Sequence, residues 1–163
     1  MVIICAVFVR HMTSLDLSAA VIMRNEVKIY PADTAFSWCI RTRDYWTCQR
    51  CLKVYSPPTQ ALHCMHFMGR GKWSTRFEPD NAAAGCYGCH RFLDTHPTEK
   101  AVFFRQWLGD GRYDQIVLLS NQQSEGIKKE LKDIAKHYRK ELERIRRLQA
   151  RGNAGRIEIV GWI

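Results

Sequence analysis

The chain has 163 residues, 46% hydrophobic and 25% charged, which excludes a disordered or collagen-like protein and is enough for one domain with a real core. Its 25 Lys and Arg against 16 Asp and Glu leave a net charge of +9. That balance favours a polyanionic partner, nucleic acid before an anionic membrane surface.

The first apolar run, Met1–Val9, stops at Arg10. It falls short of the roughly 20 residues that a bilayer span needs. It also lacks the basic start and small-residue cleavage site of a secretory signal, so a cytoplasmic protein with no membrane association is expected. Val27–Tyr30 reads as a strand, and Pro31 interrupts it. Asp33 or Thr34 caps a helix running to about Asp44, with Ala35, Trp38 and Cys39 facing inward. A loop at Ser56–Thr59 leads to a strand over Ala61–Met68, a basic turn at Gly69–Lys72 and a second strand over Trp73–Glu78. Pro79-Asp80-Asn81 breaks that strand. A short helix runs from His90 to about Asp94, and a further one starts near Pro97 and ends at Gly109. Another spans Tyr113–Leu119. The last helix, about Ile127–Arg151, carries an apolar stripe of Ile127, Leu131, Ile134, Tyr138, Leu142, Ile145 and Leu148. Arg156–Ile163 reads as a terminal strand.

Seven cysteines, an odd number, argue against a disulfide framework in a cytoplasmic chain. Four form two pairs, Cys48-x2-Cys51 and Cys86-x2-Cys89. Two thiolates that close in sequence reach one metal from a tight turn, and two such turns complete a tetrahedral, structural zinc site. Cys5, Cys39 and Cys64 read as small core residues.

Ten Lys and Arg against four Asp and Glu lie within residues 127–151, so two thirds of the excess charge sits on one helix. Lys132, Lys136, Arg139 and Lys140 are the expected phosphate contacts there. A solvated face is the blander alternative, and the stripe also offers a homodimer contact through the 127–151 helix.

The 34 residues between Cys51 and Cys86 exceed the roughly 15–20 of a simple zinc ribbon, so something folded is inserted. The insert places His63 and His66 on a strand and Asn81 ahead of a helix, and His90 follows the last cysteine. A strand His, an Asn before a helix and a His at the start of that helix make a ββα-metal layout.

This order, His66, Asn81 and Cys86-x2-Cys89-His90, resembles the HNH nucleases of the His-Me finger class. It resembles more closely the phage recombination family called NinG or Rap. The match is carried by the first Cys pair, Met65-His66-Phe67, Arg76-Phe77-Glu78-Pro79-Asp80-Asn81, the second Cys pair, Phe104-Arg105 and the basic C-terminal helix. It covers about residues 34–150. It implies an α+β fold with a zinc-stapled ββα-metal core, flanking helices and a long basic C-terminal helix. The implied segments are an extension at 1–33, a nuclease core at 34–120, the helix at 121–151 and a tail at 152–163.

The resemblance also implies a metal-dependent DNA endonuclease, with branched or recombination-intermediate DNA as a candidate substrate. His66 is then the general base, because imidazole titrates near neutrality. Asn81 orients it or pins the loop, and His90 holds a catalytic Mg²⁺ or Mn²⁺. Where HNH enzymes usually carry a ligand before the base, this chain has Met65, a poor donor for a hard cation, and His63 is the substitute ligand. Arg70, Lys72, Arg76 and Arg91 surround this site as expected phosphate contacts. The alternative is a non-catalytic zinc module that binds nucleic acid.

Overall fold

A computed structural model describes residues 27–162, so Cys5 and most of the expected extension at 1–33 lie outside the described residues. The described residues form a mixed α+β fold of five α-helices and one two-stranded sheet. Val27–Tyr30, expected as a strand, has no regular structure.

Helix α1 spans Pro31–Arg43. Proline at the first helical position costs no hydrogen bond, and Asp33 accepts the Tyr30 N–H at 2.8 Å. The helix ends in a turn where Tyr45 and Trp46 both have positive φ, 52° and 55°. Non-glycine residues there cost of order 1 kcal/mol each. Burial of Trp46 beside Cys48 and Cys89 offsets that cost.

Strand β1 (Leu62–His66) pairs antiparallel with β2 (Ala82–Cys86), with His66 opposite Ala82 and His63 opposite Gly85. The second strand is therefore not the expected Trp73–Glu78. That segment winds through turns, with Thr75 and Arg76 buried. Its buried side chains are held by distant partners and not by a strand ladder: Arg76 pairs with Asp33, and Phe77 packs into the main core. The real partner, Ala-Ala-Ala-Gly-Cys, has weak strand propensity. Its small side chains let elements close on both faces, and a Cβ on Gly85 would lie 3.1 Å from Met65 Sδ.

The sheet stops at two strands because side chains satisfy the outer edge of β2. Asp44 accepts the Ala84 N–H at 2.7 Å, and Arg43 donates to the carbonyls of Ala82 (2.8 Å) and Pro79 (2.9 Å). The Gln49 N–H reaches the Ala84 carbonyl at 2.8 Å. Arg43 and Asp44 pair at 2.7 Å, both buried. Removing either partner would leave an unpaired buried charge.

The strand His66 face packs on α1, where Phe36 lies 5.7 Å from the His66 ring. The opposite face, with Met65 and Ala83, packs on α2 (Tyr87–Thr95) and α3 (Pro97–Leu108) through Leu93 and Phe104. Proline opens α3, and Gly109 at φ 80° turns the chain into α4 (Asp110–Ser120). The long helix α5 (Leu131–Ala150) lies along α1, burying Ile134, Tyr138 and Ile145 against Phe36, Cys39 and Ile40. Arg156–Ile163, expected as a strand, has no regular structure over its described residues, with Ile157 and Ile159 packed into this core. No helix among the described residues is long and apolar enough to cross a membrane.

Candidate metal centre and histidine cleft

Two clusters of donor side chains flank β1. The first is the four cysteines. The Cys48–Cys51 turn is closed by the Cys48 N–H on the Lys53 carbonyl (2.9 Å) and the Leu52 N–H on the Cys48 carbonyl (2.8 Å). The second pair lies where β2 runs into α2, with the Tyr87 N–H on the Ala61 carbonyl at 3.3 Å. All four Sγ atoms lie within 4.8 Å of one another, and Cys51 and Cys86 are 3.9 Å apart. Four sulfurs about 2.3 Å from one zinc would be spaced about 3.8 Å. The donor set therefore fits a single structural zinc.

The electrostatics of the cluster point the same way. Burial pushes the Cys86 thiol up, but the Cys89 N–H and the neighbouring sulfurs outweigh it and bring it down to about 7. Cys89 is pushed up to about 12, first by burial, although Arg50 donates to its sulfur at 3.7 Å. Four crowded thiols cannot ionise together unless a divalent cation takes up the charge.

The second cluster lines a cavity of about 470 Å³. His63, His66 and His90 all face it, together with Arg70, Arg41 and Trp38. The cavity lies along the free edge of β1, so residues from both faces of the strand reach it. His63 Nδ1 is 3.2 Å from His90 Nδ1. Asp94 Oδ2 lies 3.2 Å from His90 Nε2, one helical turn further on, and Lys100 holds the other carboxylate oxygen at 2.7 Å. A carboxylate beside Nε2 favours the proton there and leaves Nδ1 as the lone-pair atom. Burial lowers the His90 pKa, and Asp94 opposes that.

His66 is 8% exposed, and its Nε2 is 3.1 Å from the Arg76 carbonyl. A carbonyl only accepts, so Nε2 carries the proton and Nδ1 keeps the lone pair. Burial lowers its pKa to about 4, helped by Arg70, so the ring is neutral at neutral pH.

Asn81 is fully buried and pins the loop rather than the imidazole. Its Nδ2 donates to the carbonyls of Met68 and Thr75, each at 2.9 Å, and its Oδ1 accepts the Met68 N–H at 2.7 Å. The loop it closes is the one that carries the Arg76 carbonyl. Met65 points into the opposite core, away from the cleft.

One expected phosphate contact is corrected. Arg76 is 2% exposed, and its guanidinium is spent on Asp33 (2.8 Å to each oxygen) and on the carbonyls of Arg70 (3.0 Å) and Lys28 (2.7 Å). It fixes the loop that orients His66, and its burial keeps it from reaching DNA. Arg70 does line the cleft. Lys72 and Arg91 are exposed, with Arg91 donating to the Tyr87 hydroxyl at 3.0 Å. Lys132, Lys136, Arg139 and Lys140 are exposed on α5.

Three residues escaped the sequence reading. Asp94 was legible as a carboxylate four residues after His90 on a helix. Asp33 was read only as a helix cap. Trp38 was read as inward-facing, yet it lines the cleft. Comparison of the chain with family models, curated proteins and solved structures finds no match to any of them.

Proposed function

We propose that the chain is a metal-dependent DNA endonuclease of the HNH, or His-Me finger, type, with a structural zinc in the four-cysteine cluster. One observation carries the reading. A buried imidazole, locked by a carbonyl so that Nδ1 keeps its lone pair, shares a cleft with two further imidazoles whose Nδ1 atoms face each other at 3.2 Å. A module that only binds nucleic acid has no need of that arrangement. The likeness to the NinG or Rap pattern supports the same reading.

His66 takes a proton from the attacking water at Nδ1 while the Arg76 carbonyl holds Nε2–H. Its pKa of about 4 makes it a weak base in the free protein, and an approaching phosphate raises its proton affinity. Asn81 holds the loop that keeps the carbonyl in place. His63 and His90 would hold a Mg²⁺ or Mn²⁺ ion, with Asp94 setting the His90 ring. Bound there, the ion would supply Lewis-acid polarisation of the scissile phosphate and stabilise the leaving oxygen. Arg70 would contact the substrate's phosphates from the cleft wall.

The test is cleavage of labelled junction, duplex and single-stranded DNA with Mg²⁺ or Mn²⁺, comparing wild type with His66→Ala. Removing the base should slow cutting by roughly 10²–10⁴-fold, with DNA affinity and zinc content retained. Equal cutting by both proteins would overturn the assignment of His66. A zinc-loaded wild type that binds DNA but cuts none of the three would leave the non-catalytic binding module as the reading.

A further inference from the structure

A second cavity of about 410 Å³ lies between α1 and α5, with Tyr30, Ala35, Leu142 and Arg139 on its walls. Ile29, Thr34 and Trp38 line both this recess and the histidine cleft. Two recesses with three shared walls make one groove, which crosses α1 and joins the histidines to the long helix. Its middle is formed by Trp38, Ile29 and the hydroxyl-bearing Thr34, and each end carries an arginine. Arg70 stands at the histidine end and Arg139 at the far end. Other arginines near the groove are committed inside the protein: Arg41 donates to the Thr59 carbonyl at 3.1 Å, and Arg76 is held by Asp33.

Trp38 stands where the two recesses meet. Its ring is braced by the Arg41 guanidinium, 4.8 Å from the ring centre, and by Trp46 edge-on at 5.4 Å. A braced ring loses little entropy when something stacks on it.

On the nuclease reading above, we infer that this groove is the track of a single nucleic-acid strand. A base next to the scissile phosphate stacks on Trp38, and a phosphate further along meets Arg139. The substrate class is then DNA that is unpaired on one side of the cleavage point. Each recess has the size of a small-molecule pocket, room for one nucleotide and not for a duplex. An aromatic platform between cationic ends is how single strands are held, because every unpaired base offers a π-face. A duplex would bring only phosphates to the groove and leave Trp38 and Ile29 unmatched.

The experiment uses the full zinc-loaded chain without added Mg²⁺ or Mn²⁺. Fluorescence anisotropy measures binding of one labelled oligodeoxynucleotide as a single strand, a full duplex and a splayed duplex. Trp38→Ala should weaken single-strand and splayed binding about tenfold or more, and leave duplex affinity within about twofold. Trp38→Phe should restore most of the loss. Arg139→Ala should flatten the single-strand salt dependence by about 0.7 in log–log slope. Equal losses on duplex and single strand, or no loss on either, would overturn the track. If Trp38→Ala melts early, because its ring packs beside the cysteine cluster, Trp38→Phe and the Arg139→Ala slope decide. Wild type that cuts DNA without preferring an unpaired strand would sink the track and keep the nuclease. Strand-selective binding without cutting under any divalent metal would do the reverse.

Discussion

In the cysteine cluster, every donor is a thiol, one pair on a tight turn and the other where β2 runs into α2, and these two chain segments supply all four. In the histidine cleft, the imidazoles come from a strand and a helix, and each is held by a different group: His66 by a carbonyl, His90 beside a carboxylate. The first cluster is complete without anything from outside except a metal ion. The second is an open cavity with arginine on its wall. The difference is that between a closed structural site and one with room for a substrate. It also separates what holds the fold from what the fold presents.

The largest expected effect breaks the closed site. Stripping the metal with a chelator, or replacing Cys48 by Ser, should unfold the knuckle region, since metal binding there is folding energy of about 10–16 kcal/mol at neutral pH. Wild type should carry one zinc per chain by atomic absorption. Its near-UV circular dichroism should collapse on chelation, because Trp46 packs directly on Cys48 and Cys89. Unchanged dichroism in the metal-free protein would show that the cysteines are not structural ligands.

The next effect concerns the buried groups beside the open cleft. His66 is lowered from 6.5 to about 4 by burial, so its contribution is present above pH 6.5 and is lost as pH falls through 4. Glu78, two residues beyond Arg76, is raised from 4.5 to about 7 by burial and by Asp80. Its contribution is present below pH 4.5 and is lost as pH rises through 7. Each is worth on the order of 3 kcal/mol at 1.36 kcal/mol per unit, and the two oppose one another. Wild-type stability in urea should therefore be nearly flat between pH 5 and 7. Glu78→Gln removes one side of the balance, so its midpoint should rise with pH over the same window. Parallel profiles for the two proteins would mean that Glu78 is not buried as described, and a flat profile for the variant would mean the same of His66.

The cysteine cluster was legible because spacing alone encodes it: two residues between thiols, twice, places four sulfurs together whatever lies between. The later helices were legible from punctuation, with Pro97 at a helix start and Gly109 after α3, whereas α1 opens at Pro31 itself, ahead of the cap expected at Asp33 or Thr34. The three histidines were found as a set, but their wiring was hidden. That Arg76 turns inward depends on Asp33, 43 residues away, and a buried Arg-Asp pair leaves no local pattern. β2 was missed because a strand chosen for thin side chains reads as nothing in particular. Trp38 was placed inward by periodicity, which is correct for one edge of the ring and says nothing of the cavity along the other.

The smallest effect tests whether the long helix belongs to the open region. Lys132, Lys136 and Lys140 are exposed on the side of α5 away from Ile134, Tyr138 and Ile145, with Glu143 among them. If these lysines only solvate the helix, replacing all three with Gln changes little. If each meets a phosphate, the log–log salt slope of duplex binding should fall by about 0.9 per contact, close to 3 in all. Affinity at physiological salt should drop roughly tenfold, near 1.4 kcal/mol. Arg139 is left intact in this variant so that its effect on the groove stays separate. The cutting rate of DNA already bound should stay within about twofold, because phosphate contacts position the duplex without touching the reacting atoms. A slope equal to that of wild type would return the helix to a solvated face whose apolar side serves only the core.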